Sequence, residues 1–241
     1  MTNRAPLKQR IHAGEILIGV NVPITSTQSQ LETILGKDDY AFVWIDSQHA
    51  PLNEERLVEF CQMAEAMGVH VQLRIKHTRF TYLIGNILDL GPTGVEVPQV
   101  EQESSVLEAV DNFHYPQQGV RSWGGSARWG LKDHPDPADY MAWWNSTGVL
   151  WIQIESIHAV GNARRLAKPG VDCLSWGPMD LSLDRQRYPD HPFQTDDDCV
   201  RYTLQQLEGT DVKLMYRNYT ADLRNKYIDM GVTMLLETPK P

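Results

Sequence analysis

Eight short apolar runs, at 16–20, 41–46, 70–75, 94–99, 149–155, 172–177, 212–217 and 232–237, recur along the chain with helical patterns between them. Most are rich in Val, Ile, Leu or aromatic residues. Several are continuously apolar, as strands buried on both faces must be. One intervening segment, Asn53–Met67, places Leu57, Phe60, Cys61 and Ala64 on one helical face. Another, Ala221–Met230, ends at Gly231, a residue suited to a helix C-cap. Eight strand–helix alternations predict an α/β fold, a TIM (β/α)8 barrel, rather than an open sheet. The 241 residues match the roughly 250 that such a barrel needs, so a single domain over 1–241 is expected.

A parallel barrel gathers its chemistry at the C-terminal ends of its strands. Asp46 and His49 follow the second run, Arg74 closes the third, Gln153 and Glu155 end the fifth, and Asp180 follows the sixth. Two carboxylates, a histidine and an arginine on one rim suggest a divalent metal that binds a small anion. Glu155 and Asp180 lie 25 positions apart, the spacing of successive β/α units. Held close, they would repel unless a cation sat between them, and oxygen ligands suit Mg²⁺ or Mn²⁺. As plain structure, both are helix caps or first-turn acids. Asp46 can fix the tautomer of His49, or be a turn aspartate beside an incidental histidine. Arg74 can take a carboxylate or phosphate in its fork, or pair with an acid on a neighbouring strand.

Two stretches break the rhythm. The segment His114–Pro137 is rich in glycine and proline and predicts a long loop, and Asp184–Asp198 predicts another. Arg121 and Arg128 flank Trp123-Gly124-Gly125-Ser126-Ala127, which could cradle an anion but has no nucleotide-binding spacing. Trp143-Trp144 reads as helix packing. The last run ends just before Thr238-Pro239-Lys240-Pro241, so the closing C-terminal helix is expected to be missing, its place covered by Pro6–His12 or by a neighbouring subunit.

Charge and composition narrow the partners. The net charge of −9, from 22 basic and 31 acidic residues, argues against broad nucleic-acid binding. No run approaches the roughly 20 apolar residues of a membrane span. Cys61, Cys173 and Cys199 are odd in number and widely spaced, which predicts neither a disulfide framework nor a zinc site and fits a reducing, cytoplasmic setting.

Four strings then carry a resemblance. Trp44-Ile45-Asp46-Ser47-Gln48-His49-Ala50-Pro51 resembles the Asp-x-Glu-His-Ala/Gly-Pro signature of the HpcH/HpaI aldolase family, metal-dependent pyruvate aldolases of class II. Tyr115-Pro116-Gln117-Gln118-Gly119-Val120-Arg121 resembles its Tyr-Pro-Pro-x-Gly-x-Arg-Gly. Ile152-Gln153-Ile154-Glu155-Ser156 resembles its Gln-Ile-Glu-Thr, and Gly177-Pro178-Met179-Asp180-Leu181-Ser182 its Gly-Pro-x-Asp-Leu-Ser. Order and spacing agree over roughly residues 15–237.

The resemblance implies a barrel of the phosphoenolpyruvate/pyruvate type that reversibly cleaves a 4-hydroxy-2-oxo acid to pyruvate, or a related 2-oxo acid, plus an aldehyde. It implies Glu155 and Asp180 as ligands of a divalent ion (Mg²⁺, Mn²⁺ or Co²⁺). It implies His49, paired with Asp46, as the base, and Arg74 beside the 2-oxo group. Gln153 and the amides of Met179 and Asp180 would complete the substrate pocket, in a homo-oligomer. Gln48 departs from the family's acidic residue, which removes a negative charge near the metal. Trp123 and Trp176 are bulky enough to reshape the pocket if they point inward. Competing readings are cleavage of malyl-CoA-type thioesters, phosphoenolpyruvate-mutase-type chemistry, and a non-catalytic barrel that binds 2-oxo acids.

Overall fold

Eight parallel strands close into a barrel in sequence order in the computed structural model, which describes residues 5–240. The strands are β1 (Leu17–Asn21), β2 (Tyr40–Asp46), β3 (His70–Arg74), β4 (Gly94–Val97), β5 (Val149–Ile154), β6 (Cys173–Trp176), β7 (Lys213–Tyr219) and β8 (Met234–Glu237). β8 pairs back onto β1, so no edge is left open. The helices are α1 (Leu7–His12), α2 (Gln28–Leu35), α3 (Glu54–Ala66), α4 (Ile84–Leu88), α5 (Glu103–Phe113) and α6 (Pro137–Thr147), then α7 (Ile157–Gly161), α8 (Ala163–Leu166), α9 (Pro178–Gln186), α10 (Asp196–Leu207) and α11 (Arg224–Asp229). Among the described residues, no helix is long and apolar enough to cross a membrane. The three cysteines are free and buried.

Strand alternation sorts the side chains into an inner and an outer set. Leu17, Phe42, Trp151, Cys173, Met215 and Met234 fill the lower interior. Val20, Val43, Ile45, Val71 and Leu73 point outward onto α3, where Leu57, Phe60, Cys61 and Ala64 form the predicted apolar stripe. Asn53 caps that helix by accepting from the amide of Arg56 at 2.8 Å. Higher in the barrel the inward positions turn polar: Asp46, Arg74, Glu96, Gln153, Ser175 and Arg217. The fold thus splits its interior into an apolar floor and a polar mouth.

Three expectations need correction. The first concerns the N-terminal segment. α1 does not flank β8; Leu7 and Ile11 join the lower interior cluster and stopper the N-terminal mouth. Lys8 donates to the carbonyl of Gly148 at 3.0 Å, and His12 pairs with Asp172 at 2.8 Å, which pins α1 beneath the starts of β5 and β6. Beside β8 there is an ion-pair network instead. Arg224 reaches Glu237 at 2.6 Å and Asp38 at 2.7 Å, and Lys240 meets Asp38 at 2.5 Å.

The second concerns the loops. His114–Asp136 is a loop as expected, but α9 runs on to Gln186, so the later loop begins at residue 187. The third concerns the glycine-rich arginines. Arg121 is buried against the rings of Tyr115 and Trp144 and paired with Asp89 at 2.9 Å. Arg128 lies 3.8 Å over the ring of Trp123 and donates to the carbonyl of Gly125. Both stack in an aromatic cluster on the outer wall, where Arg121 answers Asp89, so they pack the wall instead of lining the cavity at the strand ends. Trp123 belongs to that cluster. Trp176 faces outward and stacks on Tyr216, so neither tryptophan reshapes the pocket.

Candidate active site

A cavity of about 270 Å³ opens at the C-terminal ends of the strands, and Asp46, His49, Arg74, Gln153, Glu155, Met179 and Asp180 all line it. Residues spread over 135 positions of sequence (46 to 180) meet there because each lies at the C-terminal end of a strand, in the loop just after it, or in the first turn of the helix that follows.

Glu155 follows the last residue of β5 and is 7% exposed. Neither of its carboxylate oxygens has a hydrogen-bond partner. Burial pushes its pKa up to about 7, the charge of Asp180 adds to the rise, and Arg74 opposes it. The cap of α7 is Ser156, whose hydroxyl accepts from Ala159, so Glu155 is not a capping residue. Its neighbour Gly177 is needed for close approach: a Cβ there would fall 2.5 Å from Glu155 Oε2. Asp180 occupies the first turn of α9, which Pro178 opens. The far end of α9 is held in place: Asp184 accepts from the amide of Ile157 at 2.8 Å, and Arg185 pairs with Asp196.

A buried carboxylate left without donors beside a second carboxylate fits a divalent cation. The described residues contain no group of three or more His, Cys, Asp or Glu side chains that could hold one. Two carboxylates alone would leave the other positions to water and substrate, the manner in which Mg²⁺ is held in many sites.

Arg74 is clamped by Asp46 in a bidentate fork, Nε to Oδ1 at 2.9 Å and Nη2 to Oδ2 at 2.7 Å, and its Nη1 donates to Gln153 Oε1 at 3.3 Å. The Asp46–Arg74 pair joins neighbouring strands, which is the structural alternative raised for this arginine; the pair nevertheless lines the cavity. Burial raises the pKa of Asp46, but the Arg74 guanidinium and the amides of Gln48 and His49 outweigh it, and the net shift is downward. The expected Asp46–His49 pairing is therefore corrected: Asp46 is engaged by Arg74 and backbone amides, and no hydrogen bond joins it to the His49 ring. Gln48 is half-buried, with its Oε1 unpartnered.

Sequence reasoning missed a second layer. Glu96, fully buried on β4, accepts from Arg217 Nη2 at 2.5 and 2.7 Å, from Trp44 Nε1 at 2.5 Å and from Ser175 Oγ. Arg217 also lines the cavity, and both it and Arg74 lie over the Trp44 ring, at 4.3 and 5.0 Å. The available signal was a carboxylate inside the apolar run Gly94-Val95-Glu96-Val97, which requires a buried partner. Its partner lies 121 residues away.

Comparison with known proteins decides the family. The model of the HpcH/HpaI aldolase/citrate lyase family matches residues 20–196. The chain belongs to this family. A similar relative is a 2-keto-3-deoxy-L-rhamnonate aldolase of Escherichia coli, 30% identical over 192 residues, covering 77% of this chain and 68% of the relative. Among solved structures, an HpcH/HpaI aldolase from Desulfitobacterium hafniense DCB-2 superposes with a TM-score of 0.83 at 24% identity, over 97% of this chain and 90% of that one. Macrophomate synthase superposes with a TM-score of 0.79 at 22% identity, over 97% and 83%. These likenesses agree with the barrel, and the family and relatives indicate an aldolase or lyase.

Proposed function

We propose that this member of the family is a divalent-metal-dependent aldolase that cleaves a 4-hydroxy-2-oxo acid to pyruvate, or a related 2-oxo acid, and an aldehyde. The observation that carries the reading is the buried, unpartnered Glu155 carboxylate beside Asp180 and Arg74. When bound at Glu155 and Asp180, the metal would polarise the 2-oxo group and stabilise negative charge developing on it.

The chain's own residues divide the remaining work. The amides of Met179 and Asp180, in the first turn of α9, would receive the substrate carboxylate, since a helix start favours an anion. Arg74, its plane fixed by Asp46, hydrogen-bonds the 2-oxo oxygen and follows its charge into the transition state. Asp46 is a positioning residue in this scheme. His49 takes the proton of the 4-hydroxyl, the C3–C4 bond breaks, and its electron pair becomes the enolate of the 2-oxo acid. Protonation at C3 completes the product. The His49 ring suits this task because it is exposed at the cavity and bonds to no other described side chain.

Pyruvate release from a panel of 4-hydroxy-2-oxo acids, with Mn²⁺, Mg²⁺ or Co²⁺ and after chelation, tests the proposal. Cleavage that depends on added metal and falls to background in Asp180→Asn is expected. Full activity after verified metal removal would refute the metal assignment.

A further inference from the structure

The cavity has two walls, and the chemistry above uses only one. The wall from β2, β3, β5 and β6 carries Asp46, Arg74, Gln153, Glu155 and Asp180. The opposite wall, from β7, β8 and β1, carries Arg217, Tyr219, Leu236, Glu237, Thr238 and Asn21, with Glu237 engaged by Arg224. Arg217 is 6% exposed and rigidly held: Nε donates to the carbonyl of Trp176 at 3.0 Å, and Nη2 to both oxygens of Glu96. Its remaining nitrogen, Nη1, has no partner among the described residues, and it is not among the polar atoms sealed in the interior. Tyr219, beside it, is held at φ 57, a conformation rare for a tyrosine, and is 45% exposed at the mouth. Strained residues concentrate where the surrounding structure enforces a working geometry.

Charges in the cavity cancel in pairs. Asp46 answers Arg74, Glu96 answers Arg217, Glu237 answers Arg224 behind the wall, and Glu155 with Asp180 matches one divalent cation. The 2-oxo acid half already brings one negative charge and has Arg74 and the α9 amides to receive it. A second anionic group would find no uncompensated cation. What the far wall offers is a fixed, charge-neutralised donor at Nη1 with an amide and two hydroxyls around it. That chemistry suits a neutral hydroxyl oxygen. The cavity, about 270 Å³ and open at its mouth, has room for pyruvate beside a companion of a few carbon atoms.

We propose that Arg217, held by Glu96, is a specificity-determining residue that receives the hydroxyl of a short hydroxyaldehyde, the half of the substrate released by cleavage. This rests on the aldolase reading. The chain then selects substrates hydroxylated beyond the broken bond over those that end there in a methyl group or a carboxylate.

The test runs the reaction in the synthetic direction, with pyruvate, Mn²⁺ and three two-carbon aldehydes: glycolaldehyde, acetaldehyde and glyoxylate. They differ only in carrying a hydroxymethyl, methyl or carboxylate group. Their unequal intrinsic reactivity cancels when each is compared between wild type and variant. The variant is Glu96→Gln with Arg217→Met, which removes both charges together and leaves no buried charge unpaired. A site built to bond a hydroxyl discriminates through that bond, so kcat/KM for glycolaldehyde is expected to fall by ~10-fold or more, and for the other two by less than ~3-fold. Arg217→Lys, which keeps the ion pair, is expected to show the same ranking with smaller losses, and it decides the matter if the double variant does not fold. Equal losses on all three aldehydes would make Arg217 structural. The largest loss on glyoxylate would make the wall a carboxylate site. Either result overturns the assignment while leaving the aldolase reading intact. Absence of product from every aldehyde with the wild-type protein overturns both.

Discussion

Glu155 is the residue at which folding and chemistry oppose each other most directly. With its pKa raised to about 7 by burial and by Asp180, the metal-free native state holds a proton there that the unfolded chain releases near pH 4.5. The native form therefore binds the proton more tightly, and its stabilisation is complete below the unfolded value. It is lost as pH rises through about 7. In chelator, unfolding free energy is expected to fall by roughly 3 kcal/mol at most between pH 4.5 and pH 8, by linkage. Glu155→Gln should remove that component, so that urea melts at pH 5 and pH 8 differ less than in wild type. A variant with an unchanged pH dependence would show that Glu155 titrates normally. The same side chain explains why a divalent ion should stabilise the fold at neutral pH: it would replace the proton.

His49 poses a different residue-scale question, because its ring has no partner to orient it while Asp46 is taken by Arg74. Replacement by alanine should lower kcat for aldol cleavage by roughly 10²–10⁴-fold, the range for loss of a general base, with little change in melting temperature. A loss below ~3-fold would assign the base elsewhere. The motif around it was legible in sequence, but the partner of Asp46 was not. Proximity along the chain offered His49 to that carboxylate, and the β2–β3 register, which sets Asp46 opposite Arg74, gave it the arginine instead.

Among elements, α1 is the clearest case of a segment whose place depended on tertiary packing. Leu7 and Ile11 point from a six-residue helix into the barrel floor. Ile11 is wholly buried, so Ile11→Ala should cost about 2–4 kcal/mol of stability, as large-to-small core changes do. It lies at the end opposite the cavity, so kcat/KM of the folded protein should not change. A comparable loss of activity in fully folded protein would mean that the floor communicates with the mouth. The helix from Ala221 to Met230 was likewise legible, yet its first turn is a 3₁₀ segment, Ala221–Leu223, before α11 begins. Gly231, at φ 104, ends it as its sequence position implied. β4 stops at Val97, two residues short of the expected end, and Pro98 and the left-handed Gln99 (φ 53) follow.

At the scale of the molecule, the outer surface carries apolar side chains that a lone barrel leaves wet. Phe80 (41% exposed) and Tyr82 (56%) lie on the 3₁₀ segment Thr78–Leu83, which packs on α5, where Leu107 is 48% exposed. Exposed apolar side chains on packed neighbouring elements suit an interaction surface, and we propose that a symmetric homo-oligomer covers them. Light scattering at micromolar concentration should give a mass that is a multiple of 27.4 kDa, and Tyr82→Asp should lower it. A wild-type mass of one chain would overturn the assembly.

The sequence by itself determined the barrel, because each strand buried on both faces must read as an apolar run and each helix must show its stripe. It also determined which side chains stand on the C-terminal rim, because a polar residue that ends such a run can only stand at a mouth. Tertiary structure alone decided the pairings. Arg217 and Glu96 are 121 residues apart, and only barrel closure brings β7 across from β4. Arg121 and Arg128 flank a glycine-rich segment that could have cradled an anion, yet packing gave them to aromatic rings and, for Arg121, to Asp89. Charge and hydrophobicity are local and can be read along a chain. Which opposite charge a buried side chain meets depends on register and closure, which no stretch of sequence encodes alone.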